Sequence, residues 1–181
     1  MHQQKQEITY GLTAKIFHWS MAPLFIGMFI VAYIMMELSP SDTKWTLYGI
    51  HKSVGALLLI LITARFLWRL VNQVPDLPNT VPAWQKVLAH ANILLLYAVM
   101  LGMAGSGMTM SILGGHSVSI FGLIDIPAFY INKEMASLAH SAHGYISYVF
   151  IASFSLHVMG AFYHHFILKD NVLQRIWFNN S

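Results

Sequence analysis

The sequence predicts an all-α membrane protein, an up-and-down bundle of four transmembrane helices. Three observations predict it. Of 181 residues, 56% are hydrophobic and only 9% charged, and the mean hydropathy is +0.57, whereas soluble domains carry roughly 25% charged residues. Such a chain lacks the polar surface that a water-soluble body needs, while a bundle facing lipid needs little. Second, the apolar stretches fit about four spans of roughly 20 residues with their connections. Third, ten histidines equal Lys and Arg combined. In so apolar a chain some must lie at membrane depth, where polar groups are expensive and usually functional.

The first helix is expected near residues 10–36, because Ile16 to Met36 carries no charge and spans a bilayer core at about 1.5 Å per residue. It is expected to persist in the mature protein, since no small-residue cleavage pattern follows it. The second is expected near 49–72, with Lys52, Arg65 and Arg69 bracketing the apolar core Val54 to Ala64 and Pro75 and Pro78 ending it. Uncharged sequence from Val87 to Ile124 is too long for one span, and its glycine-rich latter half limits the third helix to about 83–111. The fourth lies near 134–168, ending before Lys169 and Asp170. Neither a repeat nor a second domain is evident, so residues 1–181 are read as one integral-membrane domain.

Counting basic residues sets the orientation. One side holds Lys5, Lys15, Arg65, Arg69, Lys86, Lys169 and Arg175, against Lys44, Lys52 and Lys133 on the other. Both termini are therefore expected in the cytoplasm. Trp19, Trp45, Trp68, Trp84 and Trp177 fall near span ends, as an interfacial belt requires. The strongly apolar composition excludes intrinsic disorder, and no nucleic-acid partner is expected. The absence of cysteine excludes disulfides, iron–sulfur clusters, thiolate zinc sites, a catalytic cysteine and covalently attached c-type haem.

On the fourth helix His143 and His157 lie 14 residues apart, so they point within about 40° of each other and about 21 Å apart along the axis. In an up-and-down bundle His51 shares the level of His143, and His18 that of His157. Two facing imidazole pairs suit two six-coordinate haem irons, whose porphyrins supply the other four nitrogens. The same histidines also fit a haem-free proton or metal-ion transporter, or simple hydrogen bonding between helices. Gly27, Gly55, Gly144 and Gly160 admit either a flat macrocycle or close helix packing.

The segments Ile16-Phe17-His18-Trp19, Ile50-His51-Lys52-Ser53, Leu88-Ala89-His90, Leu156-His157, His164-His165-Phe166 and Lys169-Asp170-Asn171 together resemble the bacterial cytochrome b561 family, over most of the chain. The resemblance implies a four-helix protein of the bacterial inner membrane enclosing two b-type haems, ligated by the pairs His18–His157 and His51–His143. It also implies electron transfer, either from superoxide at the periplasmic side to ubiquinone, or as a quinone-reactive subunit of a separate dehydrogenase.

His164 lies seven residues beyond His157, within about 20° of the same face, and is the candidate for meeting a quinone carbonyl or supplying a proton. His90 is a candidate for the same quinone region, and interfacial positions account equally for both. Lys52, next to His51, is the candidate for attracting superoxide; a snorkelling lysine is the plainer account. Any such field must be local, because Lys44, Lys52 and Lys133 face Glu37, Asp42, Asp125 and Glu134 on that side, 3 − 4 = −1. Arg65 and Arg69 are read as orientation signals or haem-propionate partners. His2, His116, His140 and His165 receive no role.

Overall fold

A computed structural model describes residues 9–178; His2 and Lys5 lie outside them. Four helices span Leu12–Glu37 (α1), Asp42–Val71 (α2), Ala83–Leu113 (α3) and Lys133–Phe162 (α4). Each is long and apolar enough to cross a membrane. They run up, down, up and down, so His18 and His157 belong to the end that carries both termini, and His51 and His143 to the opposite end.

Local chemistry explains the boundaries. Helix α2 begins at Asp42, seven residues before the expected start at 49, because the Ser41 hydroxyl caps it by accepting from the Lys44 N–H at 3.3 Å and Asp42 sits at its positive dipole end. Asn132 caps α4 in the same way through Met135 N–H. Pro23 lies within α1 without ending it; a missing N–H is tolerated where neighbouring helices supply support. Beyond Phe162 the chain does not continue as the expected α-helix to 168. Tyr163–Leu168 is a π-helical turn, closed by Lys169 in the left-handed region at φ 53°.

Between α3 and α4 the chain forms a hairpin that the sequence reading omitted. Strand β1 (Val118–Ile120) pairs antiparallel with β2 (Ile124–Ile126), with Ser119 opposite Asp125. Gly122, at φ 71°, supplies the positive φ that its three-residue turn requires. The hairpin packs on α2: the Ser53 hydroxyl donates to the Ser119 carbonyl, and Lys52 Nζ donates to that of Ser117 at 3.0 Å.

The core is a column of Met21, Phe25, Leu58, Ile62, Leu96, Tyr97, Val99, Met100 and Phe150. Ile26, Ile30, Ile60, Leu94 and Ile151 instead face outward, which water would penalise and lipid does not. Asn92 and Ser153, both buried, join α3 to α4: Ser153 Oγ donates to Asn92 Oδ1 at 2.7 Å and Asn92 Nδ2 donates to the Ser153 carbonyl at 3.2 Å. Trp45, Trp68, Trp84 and Trp177 are exposed near helix ends, whereas Trp19 spends its N–H on the Ile176 carbonyl at 2.9 Å and packs edge-on against Trp177. That bond folds the C-terminal segment back over the start of α1.

Candidate functional site

Two histidine pairs form inside the bundle. His18 of α1 meets His157 of α4 with ring centroids 6.2 Å apart, and His51 of α2 meets His143 of α4 at 6.4 Å. An iron between two imidazoles, each bound at about 2.0 Å through nitrogen, sets the ring centroids about 6.3 Å apart. Both separations therefore match a bis-imidazole iron, and neither matches a direct histidine–histidine hydrogen bond. Among the described residues no group of three or more His, Asp or Glu gathers to hold a bare ion; the porphyrin, supplying four nitrogens itself, needs only the two.

The surroundings of His143 fix its ring. Its Nδ1 lies 3.0 Å from the Met103 carbonyl and 3.1 Å from Ser106 Oγ. A carbonyl only accepts, so Nδ1 carries the proton and Nε2 keeps the lone pair, the arrangement that orients a ligand histidine. Gly107 leaves the ring its place, since a Cβ there would lie 3.2 Å from His143 Cε1. Across from it, His51 Nδ1 is buried with no hydrogen-bond partner, which is costly unless the ring is used otherwise.

At the other pair, Arg65 Nη2 lies 3.3 Å from His18 Nδ1. Arginine only donates, so His18 Nδ1 accepts. His18, Met21, Arg65, Tyr97, Phe150 and His157 line a cavity of about 80 Å³. Between the two levels Phe150 stacks on Phe25 at 5.2 Å, Phe29 at 5.0 Å and Phe154 at 5.7 Å. A Cβ at Gly27, Gly144 or Gly160 would meet nothing within 4 Å, so no close helix approach requires glycine there, whereas at Gly55 it would meet the Met28 methyl of α1 at 3.6 Å.

The remaining candidates are placed less centrally. Lys52 lies on a small cleft shared with Gly49, Ser53, Ser117, Ser119 and Gly122. His164 sits in the π turn, its Nδ1 2.5 Å from Asp170 Oδ2, so its direction does not follow from the α-helical register of His157. His90 is exposed, and its Nδ1 donates to the Lys86 carbonyl of its own helix at 2.7 Å; no hydrogen bond or ring contact among the described residues joins it to His164. His116 and His140 are exposed. The sequence reading missed Met103, Ser106 and Gly107, although the Gly-Met-Ala-Gly-Ser-Gly run at 102–107 marks a stretch of α3 where a neighbour approaches closely.

A model of the prokaryotic cytochrome b561 family matches residues 9–179. The chain is 32% identical over 170 residues to cytochrome b561 homolog 2 of Escherichia coli strain K12, covering 92% of this chain and 90% of that protein. It is 26% identical over 179 residues to the probable superoxide oxidase CybB of Yersinia pestis, covering 97% of each. Cytochrome b561 homolog 1 of the same Escherichia coli strain is 27% identical over 175 residues, with 92% and 96% covered.

Proposed function

The chain belongs to the prokaryotic cytochrome b561 family, and from that premise we propose that it is a dihaem b-type cytochrome carrying electrons across the bacterial inner membrane, from superoxide at the periplasmic side to ubiquinone at the cytoplasmic side. The observation that carries the reading is the pair of imidazole separations, 6.2 and 6.4 Å, at two levels of one bundle. Haem held at each level would supply a one-electron ferric–ferrous couple. His18 and His157 would hold one group and His51 and His143 the other, with Met103 and Ser106 orienting His143.

The superoxide half of the reading is supported by a relative named as a probable superoxide oxidase and by Lys52 at the hairpin cleft. Lys52 has three donors, of which the Ser117 carbonyl takes one, leaving charge and donors for a small anion beside His51. On the cytoplasmic side the His164–Asp170 couple would deliver a proton to a reduced quinone, with Asp170 holding the ring. Basic residues favour that orientation: among the described residues Lys15, Arg65, Arg69, Lys86, Lys169 and Arg175 lie toward the end with both termini. A second reading, electron uptake from a separate dehydrogenase docking around Lys44, Lys52 and Lys133, is favoured by the −1 balance of the hairpin-end charges (3 − 4), which gives superoxide little long-range steering.

Two measurements test this. Purified protein should hold two haems per chain and show a b-type reduced-minus-oxidised spectrum; near-zero haem in a folded, haem-supplied preparation would instead support a histidine-lined transporter. Stopped-flow mixing with superoxide should then give rapid haem reduction and quinone-dependent reoxidation. No reaction above spontaneous dismutation would leave the dehydrogenase-linked carrier as the function.

A further inference from the structure

The two histidine pairs differ in their nearest cation. At the terminal end, Arg65 reaches His18 with Nη2 3.3 Å from Nδ1, lines the same cavity as His18 and His157, and has its guanidinium carbon 5.8 Å from the Tyr97 ring centroid. Tyr97 is 6% exposed, so the guanidinium sits against a dry aromatic wall. Arginine stays charged in such surroundings, and in a low-dielectric site its field is screened little. At the hairpin end the cation next to His51 is Lys52, whose ammonium turns to the Ser117 carbonyl at an exposed contact, where water screens it. His143 on that level meets the Met103 carbonyl and Ser106 hydroxyl, which are neutral.

We propose that Arg65 sets the reduction potential of the haem held by His18 and His157, making it the more easily reduced of the two, so that electrons settle at the terminal end of the bundle. The inference rests on the dihaem reading above. Oxidised haem carries one more positive charge than reduced haem, and a fixed cation in the same dry pocket penalises the oxidised form. Arg65 is thus a positioning residue of the electron gradient, acting through the charge it places beside the ligand His18. Its present bond to His18 Nδ1 and ligation of iron through His18 Nε2 exclude one another, because a neutral imidazole ligating through Nε2 carries its proton on Nδ1. When His18 is a ligand the guanidinium therefore gives up that bond, yet its attachment to α2 keeps it in the pocket that it lines.

The experiment is a spectroelectrochemical titration of the purified, haem-loaded full chain, comparing wild type with R65Q, R65M and R65K. Methionine fills the space with an unbranched apolar chain, which a buried site tolerates better than an unpaired polar group. R65Q or R65M should shift the reduction equilibrium of the higher-potential haem about tenfold toward the oxidised form, which is about 59 mV for a one-electron couple. The lower-potential haem should shift far less, and R65K should restore most of the wild-type value. The proposal is overturned if both potentials stay in place, if the lower-potential haem shifts most, or if R65K moves the potential as far as R65Q. It is also overturned if R65Q and R65M both fail to take up haem while R65K succeeds, which would make Arg65 a structural residue. A wild-type protein without two haems would overturn the dihaem reading itself.

Discussion

On the dihaem proposal, replacing Gly107 with alanine should remove the haem at the hairpin end while sparing the other. The added Cβ would lie 3.2 Å from His143 Cε1 and 3.4 Å from Nδ1, whereas carbon contacts settle at about 3.5–4.0 Å. The ring must therefore yield by several tenths of an ångström. It is not free to do so, because its Nδ1 is held by Met103 and Ser106 at 3.0 and 3.1 Å, and each such bond contributes about 1 kcal/mol. Disturbing the groups that orient a ligand costs about 10–100-fold in metal affinity, or about 1.4–2.8 kcal/mol. Two neighbouring glycines provide controls on the same helix. Gly102→Ala brings its Cβ equally close, 3.2 Å, but to the flexible Ile146 Cδ1, and Gly105→Ala meets nothing within 4 Å. Haem per chain, from the alkaline pyridine spectrum, and the resolved components of the reduced-minus-oxidised spectrum read the outcome. G107A should approach one haem per chain under dilute conditions, with G102A and G105A keeping both. If G107A retains the full complement with an unchanged spectrum, or if G102A loses the same component, His143 is not held as a ligand in the way described.

Three further outcomes follow from the same geometry. His143→Ala and His157→Ala should delete different spectral components, and loss of the same component from both folded variants would show the pairing to be wrong. Lys52→Glu should slow haem reduction by superoxide about tenfold at low salt, with the difference shrinking as ionic strength approaches 0.15 M and the Debye length falls to about 8 Å; a salt-independent rate would remove Lys52 from the anion's path. Ser153→Ala strands the buried Asn92 Oδ1 and should destabilise the α3–α4 contact by about 1–2 kcal/mol, seen as an earlier thermal transition in detergent with the haem spectrum preserved; an unchanged transition would mean that the pair contributes nothing net.

Helix existence was legible because span length depends only on an unbroken apolar run, and Ile16 to Met36 is such a run. Boundaries were less so. Hydropathy places the start of α2 just before the apolar core that Lys52 brackets, yet the fold obeys the Ser41-Asp42 cap, a signal present in the sequence that hydropathy does not register. The hairpin was equally available in the alternation Val118-Ser119-Ile120 followed by Gly122, but it was absorbed into one long uncharged stretch. Depth matching brought His18 to His157 and His51 to His143 because short connections leave antiparallel neighbours little freedom in level. Direction around a helix is harder. The first turns of α3 carry polar residues on more than one face, Lys86 and His90 on one and the buried Asn92 on another, so polarity alone does not aim His90, and the π turn at Tyr163–Leu168 breaks the register by which His164 would have been aimed.

The strongest structural reason to favour electron transfer over an ion pathway lies midway along α4. Phe150 stands seven residues from both His143 and His157, and a seven-residue step returns to nearly the same helix face, drifting by about 20°. One stripe of α4 therefore reads histidine, phenylalanine, histidine. Phe150 is 3% exposed and stacked against Phe25, Phe29 and Phe154, so rings from α1 and α4 stand between the two levels. A proton or metal ion moving along that stripe needs water or a chain of polar groups at this point, and the rings offer neither. An electron needs no opening, only closely packed matter between two redox centres. The pattern that makes His143 and His157 poor neighbours for relaying an ion is thus the same pattern that supports the proposal of two haems in series.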